Sequence, residues 1–374
     1  MGPGLRRDDS VGEPRHASLA LDNLRAFVIL LVLSFHSALA YIAYLPPGPF
    51  AFDSAPWLWR SFPIVDPTRW FGFDLFCAWQ DVFLMSLFFF LSGLFVWPSL
   101  GRKGGRVFVH DRMLRLGVPF FLVALALMPL AHYPTYLQTA ADPSVAAYWR
   151  HWLALPFWPA GPMWFLWLLL VADLAAAALH RWAPGAGDRL IRLCAMAGQE
   201  PIRFFAGFLA VSAVAYVPLA LVFGPSQWIQ HGPFAFQLSR PLHYALYFFA
   251  GLGVGAGGIE RGLFAPQGAL ARYWPAWLAM AASSFVLWMA LTGMTMTGGA
   301  SPALQVLDDL SFVLACFASC FFVLALFLRF VHRRGRISDS LRGNAYGMYL
   351  IHYLFVVWLQ FAMLPTAMPA VAKA

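Results

Sequence analysis

Charge is the scarcest commodity in this chain. Only 11% of its 374 residues are Asp, Glu, Lys or Arg, while 61% are hydrophobic. An ordinary soluble domain carries about a quarter charged residues, so that class is excluded. The alternating apolar–polar pattern of a membrane barrel is absent as well. Cysteine is sparse: Cys77, Cys194, Cys316 and Cys320 show neither metal-ligand spacing nor a disulfide framework. Cys316 and Cys320, one helical turn apart, read as packing residues. No internal repeat of the kind that marks a two-halved transporter is visible.

What the chain has instead is long apolar runs. A spanning helix needs about 20 mostly apolar residues, and nine such runs fall at about 24–44, 79–98, 113–133, 162–180, 202–223, 241–259, 273–294, 307–330 and 345–364. Backbone groups in lipid must be satisfied within the segment, which makes these runs helices. The fold class is therefore all-α, a polytopic transmembrane helical bundle of about nine spans. Residues 1–20 read as a disordered cytoplasmic tail and 21–374 as one membrane-embedded domain. The first run carries Ala38-Leu39-Ala40, a small-residue cleavage pattern, but its full membrane length and the eight runs after it argue for a retained span.

The formal net charge of +8 comes from an uneven distribution of the basic residues. With the N-terminus in the cytoplasm, twenty of the 25 Lys and Arg fall on the cytoplasmic side and five on the other. That is a positive-inside pattern, and it requires no nucleic-acid partner. The outward loops, 45–78 and 134–161, are rich in Trp, Pro and Phe, as in "YWRHWLALPFWPAGPMWFLW". They read either as an aromatic belt at the headgroups or as a stacking platform for sugar rings.

The inward hinge "GRKGGRVFVHDRMLRLGVP" (101–119) concentrates Arg102, Lys103, Arg106, Arg112 and Arg115. Such a cluster suits contact with anionic lipid headgroups. Arg112 and Arg115, three apart at a helix entrance, also suit a phosphate-rich ligand held by two guanidinium forks. Gly253-Val-Gly255-Ala-Gly-Gly258 matches a dinucleotide glycine pattern, but no strand precedes it and no helix start follows, so the glycines read as close helix contacts. Ser92 and Gly93 read the same way.

Two polar residues in the first run, "LDNLRAFVILLVLSFHSALAY", are costly in lipid: Arg25 and His36. Eleven positions separate them, about 16.5 Å and about three helical turns, so both point along one face. Near the end of the chain Tyr346, Tyr349 and His352 share a helix face at intervals of three. Asp173 lies inside the fourth run and can pair with an arginine. Asp81, Asp308 and Asp309 read as solvated residues near outer helix ends, one of which can also orient His36 or contact an acceptor.

In order, "LRAFVILLVLSFH", "LFFFLSGLF", the basic hinge with "RLGVPF", "GPMWFL" and "NAYGMYLIHY" resemble the acyltransferase 3 family of bacterial membrane proteins over about 21–364. The resemblance is nearest to its glucan-succinylating branch. That branch tends to have a basic residue before its "MPLFF"-like run, where this chain reads "DVFLMSLFFF" with Leu84. The family usually has a tenth span, which would begin at "LPTAMPAVAKA" here.

The resemblance implies an O-acyltransferase of the bacterial inner membrane. It would move an acetyl or succinyl group from cytoplasmic acetyl-CoA or succinyl-CoA to a hydroxyl of an extracytoplasmic glycan or related envelope acceptor, without a metal. On this reading His36 and Arg25 are catalytic. Arg112, Arg115, Arg106 and Lys103 bind the CoA phosphates, while Tyr346, Tyr349, His352 and Trp164 are further site candidates. A neutral imidazole can take a hydroxyl proton or carry the acyl group covalently. The expected partners are membrane lipids, the acyl-CoA donor and the glycan acceptor; no oligomeric state is specified. The rival readings are a secondary transporter of a glycan precursor or organic anion, and a non-catalytic scaffold for envelope assembly.

Overall fold

The computed structural model describes residues 16–46, 48–259, 262–265, 268–299 and 301–374. Its helices are α1 (His16–Ala38), α2 (Phe71–Gly93), α3 (Val96–Lys103), α4 (Gly105–Arg112), α5 (Val118–Leu122), α6 (Met128–Leu137), α7 (Val145–Ala154) and α8 (Trp164–Trp182). They continue with α9 (Pro184–Gln199), α10 (Pro201–Phe223), α11 (Pro241–Ala256), α12 (Ala269–Arg272), α13 (Trp274–Gly298), α14 (Pro302–Phe330), α15 (Arg336–Met363) and α16 (Ala370–Lys373). A two-stranded antiparallel hairpin, β1 (Trp228–His231) and β2 (Phe234–Gln237), pairs Trp228 with Gln237 and His231 with Phe234.

Residues 1–15 of the expected tail, with Arg6, Arg7 and Arg15, lie outside the described residues, as does Arg261. Residues 16–20 are the first turn of α1 and not part of a tail.

Among the described residues, eight helical stretches are long and apolar enough to cross a membrane, one of them Gly105–Leu137, which joins α4, α5 and α6. The sixth expected span is shorter. At 16 residues α11 rises about 24 Å, less than the roughly 30 Å of a hydrocarbon core. It lies parallel to the second half of α2, from Asp81 to Leu94. Arg240 at its start pairs with Asp81, and Gly255 near its end abuts Leu94.

Glycine makes that closeness possible. A Cβ on Gly93 would lie 2.1 Å from the Phe248 carbonyl oxygen, one on Gly251 2.0 Å from that of Phe90, and one on Gly255 1.9 Å from that of Leu94. Small residues let helix backbones meet where lipid supplies no hydrophobic drive between helices.

The third pass is bent around its prolines. Pro119 and Pro134 have no N–H to offer the carbonyls of Arg115 and Leu130, four residues earlier. Both gaps are filled by α15: the Tyr346 hydroxyl donates to the Arg115 carbonyl, and Trp358 Nε1 donates to that of Leu130 at 2.9 Å. Two π-helical turns, Met113–Gly117 and Val123–Leu127, interrupt the same pass.

Side-chain contacts sort the connections into two faces. On one, Asn23 Nδ2 donates to the carbonyls of Val331 (3.0 Å) and Arg333 (3.1 Å). On the other, Lys373 Nζ meets Asp66 Oδ2 at 2.8 Å with both side chains fully buried, and Arg60 donates to Gln230 at 3.1 Å. The aromatic loops on this second face are not simply a headgroup belt. Trp59 and Trp152 are buried beside Phe52, Tyr136 and Tyr148 in a small core of their own.

Candidate active site

The bundle encloses a cavity of about 710 Å³ between α1, α2, the hinge, α8 and α15. Its mouth is arginine-rich: Arg25, Arg112, Arg115 and Arg342 all line it, beside Asp22, Asp173 and Asp339. The acids do not treat the arginines alike. Arg112 Nε lies 3.2 Å from Asp173 Oδ2, whose carboxylate is almost fully buried. Arg342 pairs with Asp339 and sits 3.9 Å from Asp22. Among the described residues Arg25 and Arg115 have no carboxylate within ion-pair distance, and Arg25 stacks over the Phe95 ring at 5.0 Å. Among the cavity arginines these two are the ones left to receive an anion.

Local sequence explains how Arg112 and Arg115 reach the same space. Arg112 closes α4 and Arg115 sits in the π turn that follows. Such turns widen the helix by one residue and are frequent at functional sites. Tyr346 lines the cavity too, although its hydroxyl is committed to the Arg115 carbonyl.

At its deep end the cavity is closed by Ile29, Phe88, Phe165 and Tyr349. Tyr349 donates its hydroxyl proton to the Pro162 carbonyl at 2.6 Å, so the "GPMWFL" and "NAYGMYLIHY" segments meet here. Behind this layer stands a histidine pair: His36 Nδ1 and His352 Nε2 are 3.3 Å apart.

Their neighbours fix the protons. His36 Nδ1 also lies 2.8 Å from the Val32 carbonyl, and His352 Nδ1 lies 2.6 Å from the Tyr349 carbonyl. A carbonyl can only accept, so in the neutral rings both Nδ1 atoms carry the hydrogen. His352 Nε2 is then the lone pair facing His36 Nδ1–H, and His36 Nε2 is left with a lone pair of its own. Gln360 Nε2 donates to the carbonyls of His36 (2.8 Å) and Ser37 (3.0 Å), and the Tyr353 ring stands edge-on to His36 at 5.4 Å.

Of the residues singled out in the sequence, the structure brings Arg25, Arg112, Arg115, Tyr346 and Tyr349 together around the cavity, with His36 and His352 paired behind it. Lys103 lies outside that cavity, in a recess of about 50 Å³, and bonds Asp111 at 2.5 Å. Arg106 is exposed and lines neither space. Trp164 stands apart from the histidines in an aromatic column, stacked on Tyr244 at 6.0 Å and edge-on to Trp228 at 5.5 Å.

Three residues sit differently from what their sequence surroundings suggest. The sequence puts Arg342 in the polar stretch between the eighth and ninth apolar runs, yet α15 begins at Arg336 and carries it into the cavity. The signal was there: Asp339 and Arg342 are three apart, a helical ion-pair spacing. Asp81 was read as a solvated residue at a helix end, but α2 begins at Phe71, so Asp81 is mid-helix and bonded to Arg240. Asp74 takes the terminal position, accepting from the Ala43 and Tyr44 N–H groups at 2.8 Å each. Asp309 is likewise buried and not solvated, while Asp308 accepts from Thr292 at 2.8 Å.

No solved structure matches the chain. Glucans biosynthesis protein C of Salmonella gallinarum is 23% identical over 249 residues, which is 65% of this chain and 59% of that protein. The chain thus matches somewhat under two thirds of the length of this curated relative. The family described as an acyltransferase domain matches residues 18–372. That stretch takes in α1 from its first turn through α16, so cavity and histidine pair alike are built from family sequence, and the chain belongs to this family of membrane acyltransferases.

Proposed function

We propose that this protein is an O-acyltransferase of a bacterial inner membrane, moving an acetyl or succinyl group from cytoplasmic acyl-CoA to a hydroxyl of an extracytoplasmic glycan. The carrying observation is the polar line from the arginine-lined cavity through Tyr349 to the His352–His36 pair. A cationic mouth suits the phosphates of CoA. Its arginine-rich face is the cytoplasmic one under the positive-inside rule. Glycan as the acceptor class draws support from the relative named for glucan biosynthesis.

Arg25 and Arg115 take the donor phosphates, with Arg112 and Arg342 shared between donor and acids. The thioester arm reaches past Tyr349 towards His36. There the lone pair on His36 Nε2 accepts the acceptor hydroxyl proton as its oxygen attacks the thioester carbon. The C–S bond breaks, the thiolate leaves, and the proton passes to it, giving an ester and free CoA. His352 holds the His36 ring and its tautomer. A covalent acyl-His36 intermediate satisfies the same geometry and yields the same products.

The test is direct. Protein in sealed vesicles is supplied with labelled acetyl- or succinyl-CoA on the hinge side and a glucan oligosaccharide on the other. Labelled ester on the oligosaccharide, absent with His36→Ala, is the expected result. Intact labelled donor or free oligosaccharide crossing the membrane unmodified would instead mark a transporter. Reaction of a Gly101→Cys variant with an impermeant maleimide from outside intact cells would overturn the orientation. The four native cysteines are buried and give little background.

A further inference from the structure

Beyond the layer that closes the cavity, two neighbouring helices each carry a polar residue. Ile29 on α1 and Phe88 on α2 both belong to that layer. His36 lies seven residues beyond Ile29, and Asp81 lies seven residues beyond Phe88 on the antiparallel neighbour. Seven residues are about 10.5 Å and almost two complete turns, so each side chain keeps the face of the cavity residue below it. The two helices are in contact at this level: Cys77 Sγ, one turn outward of Asp81, is 3.9 Å from the carbonyl of Phe35, the neighbour of His36.

Asp81 is an unusual carboxylate. It is the eleventh residue of a 23-residue apolar helix, yet its side chain is 47% exposed. A charged group at such a depth faces a water-filled space and not hydrocarbon. It is also held rigidly. Arg240, only 6% exposed, donates Nη2 to Oδ2 (2.6 Å) and Nη1 to both Oδ1 and the Asp81 carbonyl (3.0 Å each). The same Arg240 reaches the Tyr244 hydroxyl at 3.5 Å, and Tyr244 carries the half-buried Trp164 on its ring. A bidentate partner occupies one edge of the carboxylate and leaves the remaining lone pairs to the open side.

We infer that Asp81, clamped by Arg240, is the carboxylate that binds the acceptor, taking hydrogen bonds from sugar hydroxyls next to the one acylated, with Trp164 as the adjoining stacking face. The inference rests on the acyl-transfer reading and assigns its acceptor subsite. Asp81 is a binding group and does not take part in proton transfer, which His36 provides.

A pair that merely staples α2 to α11 behaves differently from one that touches substrate, and a charge swap separates them. The assay uses purified protein in lipid, labelled acetyl- or succinyl-CoA as donor and a glucan oligosaccharide as the acceptor probe, with thermal unfolding measured on the same samples. Asp81→Asn should raise the acceptor KM at least about tenfold, with the donor KM within about twofold of wild type; a lost hydrogen bond to a charged group is of that order. Asp81→Arg combined with Arg240→Asp should recover the melting temperature but not the acceptor KM. Recovery of both would overturn the inference and leave a staple. Should the swapped protein not fold, Asp81→Glu keeps charge and clamp while displacing the carboxylate. A raised acceptor KM at unchanged melting temperature supports the subsite, and an unchanged acceptor KM sinks it. If wild type acylates nothing, the acyl-transfer reading itself falls, which is a separate outcome from transfer that ignores Asp81.

Discussion

Two seams between parallel helices hold this bundle together, and they are built on opposite principles. Between α2 and α11 the contact is backbone against backbone, at Gly93, Gly251 and Gly255. Between α1 and α15 it is side chain against side chain: Arg342 beside Asp22, His352 against His36, Gln360 on the carbonyls of His36 and Ser37. Small residues and polar glue are alternative ways to join helices in lipid. Along the glycine stretch no side chain is left in the joint; the charged pair Asp81–Arg240 lies outward of it. The glycine stretch fixes the frame and ends short of Asp81 and Arg240, while the polar seam carries the proton acceptor.

The largest effect should come from breaking the polar seam at its centre. His36→Ala is expected to lower acyl transfer by about 10²–10⁴-fold, the usual contribution of a general base, while donor binding and thermal stability stay near wild type. His36→Gln keeps a polar side chain but cannot shuttle a proton, and should be as inactive. Transfer by either variant at a near wild-type rate would move the base elsewhere, with His352 next in line.

Breaking the glycine seam should do the reverse, lowering stability first. Gly255→Leu forces a Cβ to within 1.9 Å of the Leu94 carbonyl oxygen. Because backbone cannot swing aside, the loss should reach or exceed the roughly 1–3 kcal/mol typical of overpacking. Gly257→Ala is the control, since its Cβ would lie 3.4 Å from the Val254 carbonyl oxygen, an ordinary contact. Thermal unfolding in detergent that ranks the two equally would show that the close approach is not what holds α2 to α11.

At the cavity mouth the expected effects are smaller and fall on the donor. Arg115→Ala removes a charge-assisted contact of about 1.5–3 kcal/mol, which raises the donor KM about ten- to a hundredfold. Arg25→Lys should also raise it, because a planar fork and a point charge are not equivalent. Measured donor KM values that stay flat in folded variants would return these arginines to a topological role.

Most of the frame is legible from hydropathy because apolar length decides what crosses a membrane. The errors share one cause. Where a polar residue is satisfied by a distant part of the chain, it breaks the apolar run without breaking the helix. Asp74, Gln80 and Asp81 hid the first eight residues of α2, although Asp74 and Asp81 are both bonded to distant groups. Asp339 and Arg342 hid the first turns of α15. The Arg25–His36 spacing was readable since both lie on one helix. The His36–His352 contact bridges 316 positions and has no local signature. Tyr346 was readable as a site candidate, but its bond to Arg115 depends on Pro119 in another helix.

The smallest predicted effect separates residues that sequence alone grouped together. Lys103 and Arg106 share the hinge with Arg112 and Arg115, and charge counting gives all four the same role. In the structure only Arg112 and Arg115 line the large cavity. Arg106 is exposed to solvent, and Lys103 is spent on Asp111 across a short turn with both side chains about a third exposed. Exposed pairs contribute little and are screened by salt, so a donor phosphate gains little from displacing Asp111. Lys103→Ala and Arg106→Ala should each shift the donor KM by less than about twofold, and 0.5 M salt should abolish even that difference. Arg115→Ala should keep most of its defect in salt, because its partner lies inside the cavity. Should Lys103→Ala raise the donor KM as much as Arg115→Ala, the donor reaches out over the hinge surface, and the mouth is wider than the cavity drawn by α1, α2, α8 and α15.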